Sequence, residues 1–261
     1  MQAKKRGRAG PMIGQGGMEY DEASDRAVRD PGDPLGGVIG VVRGNGPGGL
    51  SGTAADRFHV DRLAELAAAI DSANYVSERM TRARPHAGRF DLLGDALRAS
   101  ACDGLIAEFG VFEGATINFL AGQTSEAVFG FDVFSGLPEA WRPGFPQGTF
   151  SRGVPPVRPN VSLLVGLFED TLPAFLERNK EDVSFLHIDC DLYSSTRTVL
   201  GLCGPRIRKG AVLVFDEYFN YPGWRNHEFR AFQEFVAETG RAYEYLSVVP
   251  SHQQVAVIVT R

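Results

Sequence analysis

Five apolar runs, separated mostly by stretches of helical period, dominate the chain after residue 100. GLIAEFG (104–110), AVFGFDVF (127–134), VSLLVG (161–166), VSFLHID (183–189) and AVLVFDE (211–217) read as strands. GATINFLAGQ (114–123) and residues 169–178, 194–203 and 226–239 read as helices. YEYLSVV (243–249) and QVAVIVT (254–260) form a hairpin-like pair at the end. Strands this apolar must be covered on both faces, and helices in the connections supply the cover. The alternation predicts an α/β, Rossmann-like domain over 104–261. Its sheet has seven strands, mostly parallel, with an antiparallel C-terminal strand and helices on both faces.

Composition divides the rest. Residues 1–52 hold 14 of the 31 glycines and a single aromatic, Tyr20. Such a stretch buries too little apolar surface to offset its ordering entropy, so it reads as a flexible leader. Within it, LGGVIGVV (35–42) has the composition of a short strand, and Lys4, Lys5, Arg6 and Arg8 form a small basic group. The basic start lacks the apolar segment of a secretory signal. Residues 53–103 read as a helical cap or lid. Leu63, Leu66, Ala67 and Ile70 recur at helical spacing, and Phe90, Leu93 and Leu97 share one face of a second helix over 88–99.

The net charge of −5 offers no basic field for nucleic acid or an anionic membrane. No apolar run reaches the roughly 18 residues of a membrane helix. Cys102, Cys190 and Cys203 lack metal-ligand spacing and fit reduced thiols, hence a cytoplasmic location.

In an open parallel sheet, ligands sit outside the carboxyl ends of the strands. The first strand ends in Glu108 and Gly110, with Gly114 opening the next helix, an ExGxxxG pattern distinct from GxGxxG and from the P-loop. These glycines either admit a ligand to the backbone or serve packing. Asp132 ends the second strand, placed to accept ribose hydroxyls or to cap a turn. After the third strand come Gly166, Phe168, Glu169 and Asp170. Gly166 admits a flat ligand, Phe168 offers an apolar wall to a purine, and Asp170 is equally a helix cap.

The fourth and fifth strands end in Asp189, Asp191, Asp216 and Glu217. Carboxylates gathered at one sheet edge repel one another and call for a cation, and oxygen-only ligands suit Mg²⁺. Such an ion can chelate two substrate hydroxyls and lower the pKa of one. The competing reading has Asp191 capping the helix near Ser194 and the other acids paired with Arg197 or Arg225.

The segments EFGVFEGATINFLA, FDVFSGLPE, GLFEDTLPAF, LHIDCDLYSSTRTVL and GAVLVFDEYFNYPG occur in the order found in the macrocin O-methyltransferase family, which the chain resembles over 104–235. A fainter similarity reaches the catechol O-methyltransferases. The resemblance implies a class I S-adenosylmethionine-dependent methyltransferase that releases S-adenosylhomocysteine and acts with Mg²⁺ on a hydroxyl of a natural-product sugar or similar vicinal diol, as in antibiotic biosynthesis. It also implies a small-molecule acceptor, a glycosylated natural product, and a homodimer or higher homo-oligomer. By the same resemblance Glu108, Gly110 and Gly114 line the methionine part of the cofactor, Asp132 takes the ribose, and Gly166, Phe168 and Glu169 border the adenine. Asp189, Asp216 and Glu217 hold the metal, Asp189 also bordering the cofactor. Family members usually carry Asp where this chain has Glu217, and Trp224 to Glu228 departs from the usual form.

For catalysis the expected residues are Asp189, through the metal, and Asp191 as base, with His227 and His252 as alternatives. Tyr193, Tyr218 and Trp224 either stack on an acceptor or pack. Residues 135–160, with six prolines, Trp141, Phe145 and Phe150, read as a long loop forming a lid or acceptor wall. A catechol-type enzyme and a non-catalytic cofactor-binding scaffold are the competing functions.

Overall fold

The computed structural model describes residues 59–261. The glycine-rich leader, its candidate strand at 35–42 and its basic residues lie outside them. In chain order the elements are α1 (Val60–Arg79), β1 (Arg84–Pro85), α2 (Arg89–Ala99), β2 (Leu105–Phe109), α3 (Ala115–Gly122), β3 (Val128–Asp132), β4 (Val161–Val165), α4 (Phe168–Arg178), β5 (Val183–Ile188), α5 (Tyr193–Cys203), β6 (Ile207–Phe215), α6 (Glu228–Thr239), β7 (Tyr243–Val248) and β8 (Val255–Val259). Single 3₁₀ turns occupy Gly204–Arg206 and Trp224–Asn226.

The strands form one sheet in the order β1-β7-β8-β6-β5-β2-β3-β4. Only β8 runs antiparallel, to both β6 and β7. The expected seven strands are present in this arrangement. The eighth, β1, is a two-residue parallel addition to the β7 edge. The order reverses between β2 and β5, so a crevice opens at the carboxyl ends of those two strands.

Strand alternation sends Leu105, Ala107, Phe109, Leu186, Ile188, Leu213 and Phe215 to a layer built by α4, α5 and α6. Ile106, Phe185, Val212 and Val214 face the opposite layer, where α2 contributes Leu92, Leu93 and Ala96 and α3 contributes Ile117 and Leu120. Leu92, Leu93, Ile117 and Leu120 are fully buried. Each is worth roughly 1.5–3 kcal/mol relative to exposure, so α2 is held as firmly as any helix of the sheet. α1 lies over the chain after β6: Ser72 Oγ accepts the Asn220 N–H at 2.9 Å, and Arg225 forks onto Asp71 at 2.8 and 2.9 Å. Its other face leaves Val60, Leu63 and Ile70 exposed. No helix among the described residues is long and apolar enough to cross a membrane.

Candidate active site

The turn after β2 is shaped by neighbouring backbone as well as by its own sequence. Gly110 has φ +92°, and a Cβ there would lie 1.7 Å from the carbonyl oxygen of Asp189. The glycine is thus required by the close approach of β2 and β5. Gly114 has φ +79° immediately before α3, with Pro155 of the long loop against it. Asp132 faces this turn from the end of β3. Its Oδ2 accepts the N–H groups of Val111 and Phe112 at 2.8 and 2.9 Å, and its Oδ1 accepts that of Phe134 at 2.7 Å. The carboxylate locks the turn and keeps free acceptor capacity mainly on Oδ1.

Glu108 is fully buried beside the same turn and points into the α3 layer. It accepts from Thr116 Oγ1 at 3.0 Å, and its Oε2 lies 2.8 Å from His187 Nδ1. The two residues are directly paired in the β2–β5 ladder. His187 Nε2 in turn lies 3.5 Å from Asp216 Oδ1. Burial opposes a charge on His187, but the hydrogen bonds to Asp216 and Glu108 and the Glu108 charge outweigh it and hold its pKa up at about 10. Burial alone would raise Asp216; the hydrogen bond and charge of His187 bring it down to about 2. Gln254 Nε2 donates to Asp216 Oδ2 at 3.0 Å. His187 was not among the sequence candidates, because a histidine inside an apolar strand reads as core.

The ends of β5 and β6 bring the expected acids together. Carboxylate oxygens of Asp189 and Asp216 and a ring nitrogen of His187 lie within 4.8 Å of one another. Glu217 stands outside that compact group but is electrostatically part of the cluster. Burial, then the charges of Asp191, Asp216 and Asp189, push its carboxyl well up. Burial and Asp216 likewise raise Asp189, and burial and Asp216 raise Asp191 to about 7. Asp191 has φ +61°, a strained value for a non-glycine residue. It does not cap α5, whose N-cap is Leu192. Nor do Arg197 and Arg225 neutralise the cluster: they pair with Glu238 and Asp71.

Glu228, at the first position of α6, ties the two acid-bearing loops. It is fully buried, and its oxygens accept the backbone N–H of Cys190 at 3.3 Å and of Glu217 at 3.1 Å. Sequence reasoning placed it only in a stretch of unusual form.

The donor set suits a hard divalent cation. Among the described residues, Glu217 Oε2 is buried without a hydrogen-bond partner, and Asp216 Oδ1 meets only the His187 ring, at 3.5 Å. His187 lies in the same compact group, with its Nδ1 engaged by Glu108 and its Nε2 turned toward Asp216. The carboxylates of Asp189, Asp216 and Glu217 are the groups available to hold Mg²⁺.

At the end of β4, Gly166 has φ +145° and donates its N–H to Asp132 O at 3.0 Å. Phe168 stands edge-on to Phe109 at 5.4 Å, and Glu169 is exposed in the first turn of α4. Leu167, not Asp170, is the N-cap. Tyr218 is buried in a hydroxyl cluster with Tyr245 at 2.7 Å, Trp224 packs on Phe229, and Tyr193 bonds Glu234 at 2.6 Å. These three aromatics serve packing. His252 is exposed and bonds the Gln254 side chain at 2.9 Å, whereas His227 is half-buried near Trp141 and Tyr221. The long loop has no regular secondary structure, but Trp141 is buried in it and Arg142 lies over the rings of Trp141, Phe145 and Tyr221.

Comparison with known proteins agrees with this architecture. Residues 107–218 match a family model described as a methyltransferase domain. The solved structure of CalS11, a calicheamicin methyltransferase, is similar with a TM-score of 0.54 at 24% identity, over 65% of this chain and 76% of that one. The O-methyltransferase NovP gives 0.53 at 21% identity, over 66% and 80%. No curated protein sequence matches the chain. Residues 107–218 are thus similar to a methyltransferase domain, and the chain has the Rossmann-like fold seen in CalS11 and NovP.

Proposed function

We propose that the protein is an S-adenosylmethionine-dependent, Mg²⁺-dependent O-methyltransferase acting on a hydroxyl of a natural-product sugar or similar vicinal diol. The observation that carries this is the convergence of Asp189 and Asp216, with Glu217 Oε2 buried and unpartnered at the next position. Several carboxylates gathered at one sheltered sheet edge are costly and persist where a function uses them. CalS11 and NovP, the similar structures, are named as a calicheamicin methyltransferase and an O-methyltransferase, which favours this chemistry over other uses of the fold.

S-adenosylmethionine supplies an electrophilic methyl when bound, and Mg²⁺ lowers the pKa of a chelated hydroxyl. The chain's own residues do the rest. Gly110, Gly114 and Asp132 shape the crevice for the methionine and ribose parts, Glu108 supports the turn from the buried side through Thr116 and His187 instead of lining it, and Gly166, Phe168 and Glu169 border the adenine. Asp189, Asp216 and Glu217 hold the metal and thereby orient the acceptor hydroxyl. Asp191 takes the hydroxyl proton. It is buried in the same loop as Asp189, two residues further on. Alignment of the oxygen with the methyl supplies most of the remaining rate gain.

The test is calorimetric titration with S-adenosylmethionine, then methyl transfer to a panel of glycosides and catechols with and without EDTA. Binding and EDTA-sensitive transfer to glycosides are expected. Absence of cofactor binding sinks the reading. Binding without turnover on any acceptor favours a scaffold, and preference for catechols moves the acceptor class. An Asp189→Ala variant with full activity removes that residue from the mechanism.

A further inference from the structure

Two donors consecutive in the long loop have no acceptor among the described residues. Trp141 Nε1 and Arg142 Nε are both buried without a hydrogen-bond partner there. Trp141 itself is only 8% exposed. An unmade buried hydrogen bond is costly, and two in consecutive residues point to a missing acceptor. Arg142 also has no carboxylate within ion-pair distance among the described residues.

The two donors are held in place before any ligand arrives. The backbone N–H of Trp141 donates to Phe145 O at 3.0 Å, and the backbone N–H of Phe145 donates to Arg142 O at 2.8 Å, closing a tight turn. Glu139 accepts from Ser194 Oγ at 2.6 Å and fastens the loop to α5. The guanidinium lies 4.2, 4.5 and 5.0 Å from the rings of Trp141, Phe145 and Tyr221. Trp141 and Tyr221 each stand 6.1 Å from the ring of His227. Tyr221, whose ring the guanidinium covers, donates its hydroxyl to Glu217 O at 3.2 Å, so Arg142 sits beside an acid-bearing loop.

We infer that Trp141 and Arg142 form an oxyanion subsite, and that the acceptor carries a phosphate or carboxylate beside the hydroxyl to be methylated. The inference rests on the acceptor site proposed above and names its substrate class. An anionic acceptor approaching the acidic cluster needs a compensating cation, and the guanidinium supplies one. The planar fork of arginine matches both oxyanions, and its aromatic bed leaves it little freedom to lose on binding.

The full-length protein is titrated by calorimetry with three probes: a nucleoside-diphosphate sugar, a methyl glucuronide and a neutral methyl glucoside. Methyl transfer to each is then followed. At least one anionic probe is expected to bind roughly tenfold to a hundredfold more tightly than the neutral one, as a charge-assisted hydrogen bond warrants. The tighter of the two identifies phosphate or carboxylate. Arg142→Gln should erase that preference through KM, and Arg142→Lys should restore part of it. Trp141→Phe, which keeps a ring and removes the N–H, should weaken anionic probes alone. Equal binding of charged and neutral probes, or binding of none, overturns the inference. So does an Arg142→Gln defect that is the same for all three, which marks a packing or charge-balancing role. The binding arm is run with and without Mg²⁺ and S-adenosylhomocysteine, and S-adenosylmethionine is titrated on its own, so failure of S-adenosylmethionine to bind would fell the methyltransferase reading separately.

Discussion

His187 Nδ1 lies 2.8 Å from Glu108 Oε2, and neither side chain reaches solvent. The pair joins β2 to β5 and, through His187 Nε2, faces Asp216. Breaking a buried pair from one side leaves an uncompensated charge and costs roughly 3–5 kcal/mol. His187→Leu should therefore lower stability by about that amount. Glu108→Leu with His187→Leu should cost less than the sum of the two single changes. Urea unfolding of the four species checks this; strict additivity would show that the residues do not act as a pair.

Glu228 should matter more to turnover than to cofactor binding. Its two oxygens accept one N–H from each acid-bearing loop. Glutamine keeps one acceptor and presents an NH₂ to the other N–H. Glu228→Gln is expected to lower metal affinity or kcat roughly 10–100-fold, as groups that orient ligands do. S-adenosylmethionine affinity should change little. Titration of metal-stimulated methyl transfer provides the measurement, and an unchanged metal dependence would reduce Glu228 to a packing role.

Gly110→Ala should prevent folding. The methyl would have to occupy the position of the Asp189 carbonyl in a left-handed backbone conformation. A soluble variant with wild-type circular dichroism and melting temperature would contradict the contact. Ala at Gly201, where a Cβ meets nothing within 4 Å, serves as the control.

The Asp71–Arg225 fork predicts a small acid sensitivity of the α1 attachment. The hydrogen bond from Arg225 holds the Asp71 carboxyl below its ordinary value of 3.8. Its contribution is complete above that value and disappears as pH falls through the lower folded pKa. Both side chains are 45% exposed, so solvent screening limits the effect to about 0.5 kcal/mol. Asp71→Asn should melt slightly lower than the wild type at pH 7. The two should converge near pH 2, and a constant difference would assign the effect to packing.

The sheet was legible because its apolar strands alternate with amphipathic helices in a rhythm that few other folds produce. β1 was not, since Arg84 and Pro85 leave no period and pair only because β7 offers an edge. The first residues of β6 were hidden by Arg208, Lys209 and Gly210, two of them exposed. At the site, Asp189 and Asp216 stood out as acids at adjacent strand ends. His187 did not, because its partner Glu108 lies 79 residues away and only the β2–β5 register joins them. The free donors of Trp141 and Arg142 were invisible for a different reason. Whether a donor is satisfied depends on where every neighbouring acceptor falls, which no spacing encodes.

The contact between Gly110 and the Asp189 carbonyl has a consequence for how such a chain can diverge. A side chain at position 110 would require the end of β5 to retreat, and the acid carried there would retreat with it. Glycine would therefore persist at this position through long sequence drift even in a descendant that had abandoned its ligand. Its persistence would record the fit of one strand against another, and loss of function would have to be read from the carboxylates instead.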